Sequence, residues 1–336
     1  MVRFRTCVAF YRAALFTHEL THLPSRGFAS FRIAWNALFG IPVLMPSFLY
    51  HSHVAHHRRQ HYATTDDGEY LPWANGPRWE IIKYLAESLI IPLLAIVRFS
   101  VLTPASWFSS RFRRWLQQHA SSMIIDPSYV RPLPTKNEQM IWRLQEGACL
   151  GCVVLMIASF ALGILPWTLV PHVYAVAVCV VFLNAVRTLG AHRYRNIEGE
   201  MTFLEQYLDS INYPYHPLLS ELWAPVGLRY HALHHLFPSM PYHALPAAHR
   251  RLKEHFPAES PFQQTISPGL WASLSQLWRE SGAWSPAVRA QEDGDDRSRG
   301  RYSQRIPDSR VKSLSPTASG DPNRGCEGPA DLHLGR

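Results

Sequence analysis

The sequence predicts an all-α, integral-membrane helical bundle with a cytoplasmic helical cap that carries clusters of histidines. Three observations predict this class. Charged residues make up only 17% of the 336 residues and hydrophobic residues 47%, whereas a typical soluble domain has about 25% charged residues. The forty residues from 147 to 186 include no Asp, Glu, Lys or Arg. Finally, the chain has 18 histidines, many of them at helical spacing.

The net charge of +8 raises the question whether the protein binds nucleic acid or anionic lipid. Part of the basic excess lies beside apolar runs, where positive charge faces cytoplasmic lipid rather than nucleic acid. We therefore expect no nucleic-acid partner. The five cysteines are too few and too scattered for a disulfide framework.

The uncharged run predicts a transmembrane helical hairpin. Forty residues suffice for two spans of about 20 residues each, and the sequence Leu165-Pro166-Trp167 marks the turn between them. Arg143 precedes the run and Arg187 and Arg193 follow it, whereas the turn has no basic residue. The positive-inside rule then places both ends of the hairpin, and the metal site described below, on the cytoplasmic side.

Two further apolar stretches, 33–50 and 81–102, are predicted to enter the membrane and return to the same side. The first contains Pro42 and Pro46, and prolines at such depth interrupt a helix. The uncharged centre of the second is only ten residues long and contains Pro92, which is too short to span a bilayer.

Three clusters of histidines are the strongest chemical signal. Residues spaced by three or four positions share one face of a helix, so each cluster presents its imidazoles together. Imidazole is a good ligand for iron, zinc and copper alike, so the spacing predicts a metal site without fixing the metal. The clusters are His18 and His22; His53, His56 and His57; and His231, His234 and His235.

The first cluster allows an alternative interpretation. His18-Glu19-Leu20-Thr21-His22 matches the helix motif of zinc-dependent proteases, in which two histidines bind zinc and the glutamate acts as base. A zinc-dependent membrane metalloprotease is therefore a second hypothesis. It leaves the six histidines of the other two clusters without a role.

Taken together, the three clusters resemble the histidine boxes of the integral-membrane fatty acid desaturase family, H-x(3,4)-H, H-x(2,3)-H-H and H/Q-x(2,3)-H-H. The resemblance covers residues from about 14 to 250. It implies that the eight box histidines ligate two iron ions, with dioxygen as co-substrate. His192 matches the family's additional histidine after the last transmembrane helix; four residues earlier, this chain has Thr188 where some members have an Asn.

The resemblance also implies the activity and its partners. Such enzymes remove hydrogen from an unactivated C–H bond of a lipid acyl chain in the membrane. We expect an acyl-lipid desaturase first, with a hydroxylase or ketolase on the same scaffold as the alternative, because the box pattern serves all three. No haem-binding segment of a fused cytochrome b5 type domain is visible, so we expect a separate electron donor, a ferredoxin or a cytochrome b5 type protein with its reductase.

Acidic residues near the boxes are candidates to hydrogen-bond the second nitrogen of a ligand imidazole and fix its tautomer. Their alternative role is a solvated acidic surface. The candidates are Asp66, Asp67 and Glu69 after the second box, and Glu198, Glu200, Glu205 and Asp209 before the third.

Three smaller groups have two interpretations each. Met156, Phe160 and Phe182 either line a tunnel for a lipid chain or simply pack between helices. Cys149 and Cys152 either pack or form a redox pair, and we expect packing. An arginine-rich set either forms a landing surface for an acidic electron carrier or contacts lipid headgroups. That set is Arg58, Arg59, Arg111, Arg113, Arg114, Arg250 and Arg251.

The predicted organisation has three parts. Residues 1–260 form the membrane domain, 261–285 a Trp-rich interfacial segment with Trp271, Trp278 and Trp284, and 286–336 a disordered tail whose composition cannot support a core. Only 17 residues precede His18, too few for the hairpin that family members have there. We therefore expect the natural protein to begin further upstream, the alternative being an inactive relic that lacks this hairpin.

Overall fold

The computed structural model describes residues 2–23, 27–197 and 199–283. The predicted disordered tail, Glu198 and Trp284 lie outside these residues. The described chain is helical and has no strand, which confirms the predicted all-α class. The helices are α1 Val2–His22, α2 Ala29–Trp35, α3 His53–His56, α4 Arg78–Glu87, α5 Ile91–Val97, α6 Thr103–Ser106, α7 Ser110–His119, α8 Lys136–Ala161, α9 Leu169–Leu189, α10 Phe203–Asp209, α11 Pro217–Trp223, α12 His231–Leu236, α13 Leu245–His255, α14 Pro261–Gln264 and α15 Leu270–Ala283.

Helices α8 and α9 form the predicted membrane hairpin. Both are long and apolar enough to cross a bilayer, with mean hydropathies of 1.7 and 2.1 over their most apolar windows. Helix α8 begins with a capping box, in which the Thr135 hydroxyl accepts from Glu138 N and the Glu138 carboxylate accepts from Thr135 N at 2.8 Å. This exchange satisfies two backbone donors that the helix itself leaves unpaired. The prediction of two successive helices of span length is confirmed, and their crossing of the membrane as a hairpin stays a prediction.

The two proline-bearing stretches are bent. The chain bends by 52° between Arg78–Glu87 and Ile91–Ser106, the point at which α4 gives way to α5. The other stretch passes from α2 through one turn of wider helix, Asn36–Gly40, to Leu44, whose φ is 59°. Neither stretch forms one straight helix, as the prolines predict. Their return to the same side of the membrane stays a prediction.

A buried ionic cluster joins the second bent stretch to the hairpin. The Glu146 side chain of α8 is fully buried; its Oε1 accepts a hydrogen bond from Arg98 Nη2 at 2.6 Å, and its Oε2 forms an ion pair with Arg113 Nη1 at 2.6 Å. Two buried guanidinium groups on one carboxylate compensate charges that would otherwise be costly to desolvate. The assignment of Arg113 to an exposed basic surface was therefore wrong, because only 7% of this residue is accessible.

Helix α1 packs along α9 and carries the first histidine cluster to the end of the hairpin. Tyr11 of α1 is completely buried, and its hydroxyl donates to the Trp223 carbonyl at 2.7 Å. Its ring packs with Leu15, Ala224 and Leu228. This contact fixes α1 against both the hairpin and the chain that leads to the third cluster.

A buried amide links three of the segments that follow α9. The Asn212 side chain accepts from Leu233 N at 3.1 Å and donates to the Thr265 hydroxyl at 2.9 Å. Leu233 lies in the first turn of α12, where backbone N–H groups lack partners within the helix. Asn212 therefore caps α12 from outside and fixes the third histidine cluster in place.

Helix α15 covers part of this assembly. Its Leu277 packs in a buried cluster with Trp73 and Tyr194, while Trp271 on the same helix is 81% exposed. Contact of the exposed tryptophan with a membrane interface stays a prediction.

Candidate metal centre

All nine predicted ligand histidines lie in two groups. Each imidazole offers one ring nitrogen as a possible ligand atom. Within a group, all of these nitrogens lie within 4.8 Å of one another. Their role as metal ligands stays a prediction. The first group is His18, His22, His53, His57 and His234, and the second group is His56, His192, His231 and His235.

Helix geometry explains how three sequence clusters become two spatial groups. Successive side chains on a helix point about 100° apart, so the neighbours His56 and His57 turn toward different groups, as do His234 and His235. The second and third clusters therefore contribute to both groups. The first cluster contributes only to the first group, and His192 only to the second.

In the second group, imidazole nitrogens face one another at short range. His192 Nε2 lies 2.8 Å from His231 Nε2 and 3.2 Å from His56 Nε2. His235 Nε2 lies 3.2 Å from His231 Nε2. Two nitrogens bound at right angles to one ion at about 2.1 Å would lie about 3 Å apart.

An aspartate fixes the tautomer of His56. Asp67 Oδ2 lies 2.8 Å from His56 Nδ1, and the carboxylate also accepts from Ala63 N and Glu69 N, each at 2.9 Å. Burial acts to raise the pKa of Asp67, but His56 and these donors outweigh it and lower that pKa. The carboxylate is thus ionised and only accepts, so Nδ1 of His56 carries a proton, and Nε2 is the nitrogen that the neutral ring would offer to a metal ion.

A tyrosine and a second aspartate do the same for His192. The Tyr62 hydroxyl donates to Asp209 Oδ2 at 2.8 Å and lies 2.8 Å from His192 Nδ1. Because its single proton goes to Asp209, the tyrosine oxygen accepts from His192 Nδ1–H. His192 Nε2 is then also the nitrogen that the ring would offer to a metal ion, and Ser210 Oγ adds a contact to Nδ1 at 3.2 Å.

These assignments test whether a cation fits the second group. The Nε2 atoms of His56 and His192 face each other at 3.2 Å inside the protein, and the hydrogen-bond partners on the opposite nitrogens leave these two atoms for a shared cation. Carboxylate partners on the opposite nitrogen are typical of histidines that bind metal. The residues present therefore fit a metal ion.

The first group is built with fewer polar partners. His53 Nδ1 lies 2.9 Å from Glu69 Oε2, and its Nε2 lies 2.9 Å from His57 Nε2. His234 Nε2 lies 3.2 Å from the Nε2 atoms of both His22 and His57. Burial raises the pKa of Glu69 to about 7, against the opposing attraction of His56.

Two imidazoles of the first group also have unpaired buried nitrogens. His18 Nε2 and His57 Nδ1 have no hydrogen-bond partner among the described residues. A buried polar atom without a partner is costly unless a ligand satisfies it. His18 Nε2 is thus available for coordination.

Most of the buried imidazoles are neutral near neutral pH. Burial and repulsion between neighbouring imidazoles hold the pKa of six of them well below its ordinary value, so a metal ion could bind them near neutral pH without displacing a proton. His56 differs, because attraction to Asp67 outweighs burial and raises its pKa. The six are His18, His53, His57, His231, His234 and His235.

Only some of the candidate acids reach an imidazole of the site. Asp67, Glu69 and Asp209 do, whereas Asp66 is exposed beside His61. Glu200 is exposed, and Glu205 caps α10 through the backbone N–H of Thr202. Sequence reasoning missed Tyr62, because a tyrosine five positions beyond His57 carries no ligand spacing.

The protease arrangement does not form. Glu19 accepts a hydrogen bond from Tyr242 N at 3.3 Å, and His18 and His22 share their group with three further imidazoles. A zinc protease requires this glutamate to act as base beside the metal.

The candidate tunnel residues and Cys149 lie in ordinary packing or surface positions. Met156 and Phe182 are 40% and 43% exposed on the spans, so they do not line an interior tunnel, and Phe160 stacks on Trp167 at 5.1 Å. Cys149 is buried beside Trp142, as expected for a packing residue.

The sequence of this chain is similar to a known family of enzymes. The family model for fatty acid desaturases matches residues 2–266. The chain is also 40% identical over 273 residues to a ceramide hydroxylase of Caulobacter vibrioides (strain NA1000 / CB15N), a match that covers 81% of this chain and 78% of the relative. No solved structure matches the chain.

Proposed function

The chain belongs to the fatty acid desaturase family, and on this premise we propose that it is a membrane lipid hydroxylase with two iron ions and a ceramide-type substrate. The observation that carries the metal centre is the pair of imidazole groups whose ring nitrogens converge within 4.8 Å of one another. The similarity to a ceramide hydroxylase favours hydroxylation and this substrate class.

Each histidine group would hold one iron ion. A pair of irons at this position supplies the activation of dioxygen that removal of hydrogen from an unactivated C–H bond requires. Asp67 and the Tyr62–Asp209 pair keep His56 and His192 in the tautomer that binds metal. The low pKa values of the other imidazoles keep them neutral.

The position of the histidine groups in the chain supports a metal centre at the edge of the membrane. His192 follows directly after α9, a candidate span, so the centre lies at the end of the hairpin. The arginines that flank the hairpin support a cytoplasmic position. A lipid chain lying in the bilayer would reach the centre from the side of the spans.

Desaturation is the second candidate, because the matching family is named for it. Both reactions begin with removal of one hydrogen, and they differ in whether an oxygen is added or a second hydrogen is lost. Either reaction needs electrons, and we propose a separate ferredoxin or cytochrome b5 type donor. Arg58 and Arg59, both exposed beside the second cluster, are candidate contacts for it.

Lipid profiling of a host that contains ceramides tests this proposal. Expression of the chain should produce ceramide with one additional oxygen, detected by mass spectrometry, and His234→Ala should abolish that product. Arg143→Gln, an exposed change at the base of α8, is the control and should retain it. A product lacking two hydrogens would favour desaturation, and full activity in His234→Ala would refute the metal assignment.

A further inference from the structure

Helix α7 has an exposed face that the metal centre does not use. Arg111, Arg114 and Trp115 of this helix are exposed, and Phe108, two residues before it, is 91% exposed. Trp107, next to Phe108, is half exposed. Large apolar side chains that cluster at a surface indicate an interaction with a partner or with a membrane.

An ion pair fixes the level of α7 relative to the candidate span α8. Arg113 lies on the buried side of α7, and its Nη1 is 2.6 Å from Glu146 Oε2. Glu146 is the last charged residue of α8 before the forty uncharged residues 147–186, so it marks the level at which α8 would enter the apolar layer of a bilayer. Helix α7 therefore lies beside the start of this span, where headgroups and acyl chains meet.

The residues that lead into α7 are apolar and exposed as well. Residues 91–106 belong to the bent helix pair that is long and apolar enough to enter a bilayer, and their side chains Leu94 and Val101 are more than half exposed. Trp107 and Phe108 follow directly. The exposed apolar surface of the bent stretch thus continues along the chain to the first residue of α7.

The exposed side chains are sorted around α7 by chemistry. At 100° per residue, Phe112 and Trp115 lie about 60° apart on one sector, and Arg111 and Arg114 lie about 60° apart on the next sector. The rings of Phe112 and Trp115 stack with centroids 5.6 Å apart, and Leu116 is buried on the remaining side. Helices that lie in a membrane interface have this arrangement, with aromatic rings toward the acyl chains and cations toward the headgroups.

The two exposed arginines of α7 carry charge that the protein does not compensate. No Asp or Glu of the described residues lies within 4.0 Å of the guanidinium of Arg111 or Arg114, and α7 itself contains no acidic residue. Arg195, by contrast, is also exposed but forms an ion pair with Glu280. A negatively charged partner therefore complements this face of α7.

We propose that α7 binds anionic lipids of the bilayer, with their phosphate groups on Arg111 and Arg114 and with Phe108 and Trp115 among their acyl chains. The oxygens of a phosphate match the planar donors of a guanidinium group, and each basic group near an anionic membrane surface adds attraction. An acidic protein would also complement the arginines, but it would have to displace lipid from aromatic side chains beside the start of a span. The inference is independent of the reaction at the metal centre.

Lipid binding to the detergent-purified protein tests the role of the two charges. Native mass spectrometry would give the apparent dissociation constants of the first bound phosphatidylglycerol and of the first bound phosphatidylcholine with the same acyl chains. The double variant Arg111→Gln/Arg114→Gln should weaken phosphatidylglycerol binding by about tenfold or more, as expected for lost hydrogen bonds from charged groups. Its phosphatidylcholine binding should change much less. Arg111→Lys/Arg114→Lys should retain most of the preference, because both charges remain.

A matched variant controls for net charge. Lys136→Gln/Lys253→Gln removes the same charge from exposed positions on α8 and α13 and should bind phosphatidylglycerol like the unmodified protein. Equal losses in the two glutamine variants would overturn the inference, because the attraction would then depend on net charge rather than on α7. Unchanged phosphatidylglycerol binding by Arg111→Gln/Arg114→Gln would overturn it as well.

Chemical protection in a bilayer identifies the occupant of this face without any variant. The protein would be treated with phenylglyoxal, which reacts with accessible guanidinium groups, in nanodiscs of phosphatidylglycerol and in nanodiscs of phosphatidylcholine. Peptide mass spectrometry should show that Arg111 and Arg114 react severalfold more slowly in phosphatidylglycerol, whereas Arg58 and Arg59 react equally in both. Equal reactivity of Arg111 and Arg114 in the two bilayers would overturn the inference and leave this face to an acidic protein.

Discussion

The two histidine groups are built on different physical principles. In the second group, His56 and His192 are oriented by Asp67 and by Tyr62 with Asp209, which are buried and hydrogen-bonded. In the first group, His53 alone of the five imidazoles contacts a carboxylate of the described residues, that of Glu69, whose pKa is raised to about 7 by burial. The second group is thus fixed by charged hydrogen bonds, and the first by the packing of the helices that carry it.

This difference assigns separate weak points to the two groups. Loss of an orienting acid should affect the second group most, because the acid sets which nitrogen is free to bind metal. Loss of packing should affect the first group most, because α1, which supplies His18 and His22, is docked through apolar contacts around Tyr11 and a few hydrogen bonds, none of which reaches an imidazole of that group. The following variants separate the two mechanisms.

The largest effect is expected on removing a ligand from the second group. His231→Ala leaves three imidazoles there, so we expect it to abolish hydroxylation and to lower the iron content toward that of the first group alone. His61→Ala is the matched control, because His61 belongs to neither group. Activity and elemental analysis of the purified proteins are the measurements. Unchanged iron in His231→Ala would contradict the assignment.

A packing change should act on the first group instead. Tyr11→Ala removes a completely buried ring and its hydrogen bond, and large-to-small changes of this kind cost about 3–5 kcal/mol. Thermal unfolding in detergent should show the lost stability, with metal lost from the first group before the second. Phe4→Ala, an exposed change on the same helix, should leave both quantities unchanged. Equal metal loss from the two groups would argue against a packing-dependent first group.

Removing the acid that orients His56 should weaken metal binding without removing a ligand. Asp67→Asn replaces an ionised acceptor by an amide, and changes at such positions reduce metal affinity by about 10- to 100-fold. Titration with a competing chelator measures the effect. Asp66→Asn should have none, because Asp66 is exposed and does not contact the site. If the two variants retained equal affinity, the orienting role of Asp67 would be refuted.

A smaller effect is expected for the acid of the first group. Glu69→Gln retains an acceptor for His53 Nδ1, and the glutamate it replaces is only partly ionised near neutral pH. The loss of metal affinity should therefore be smaller than for Asp67→Asn in the same chelator titration. A larger loss would reverse the comparison between the groups.

The smallest effect is expected at Tyr62. Without the hydroxyl, His192 Nδ1 retains Asp209 Oδ2 at 3.5 Å and Ser210 Oγ at 3.2 Å. Tyr62→Phe should thus reduce metal affinity by less than about tenfold, the lower end for such orienting groups. Complete metal loss with a normal unfolding temperature would show that the tyrosine itself is indispensable.

The sequence predicted those features that depend on local spacing. The histidine clusters are visible because the helix repeat places their imidazoles on one face, and the hairpin because a bilayer excludes charge over about 20 residues. The nine candidate ligands include every member of both spatial groups. Proline positions also predicted that 33–50 and 81–102 are not straight spans.

Features that depend on distant contacts were not predictable in the same way. His56 and His57 are adjacent in the sequence but belong to different groups, because the groups are completed by α1 and by His192. Nothing local separates Asp67, which contacts an imidazole, from the exposed Asp66. Arg113 is buried only because Glu146, on another helix, faces it.

The metal content of the unmodified, detergent-purified protein is the most direct measurement. Two irons per chain, in protein whose His231→Ala variant holds fewer, is the result expected from two histidine groups that each hold an ion. A single zinc, or no tightly bound metal under iron-replete growth, would contradict it.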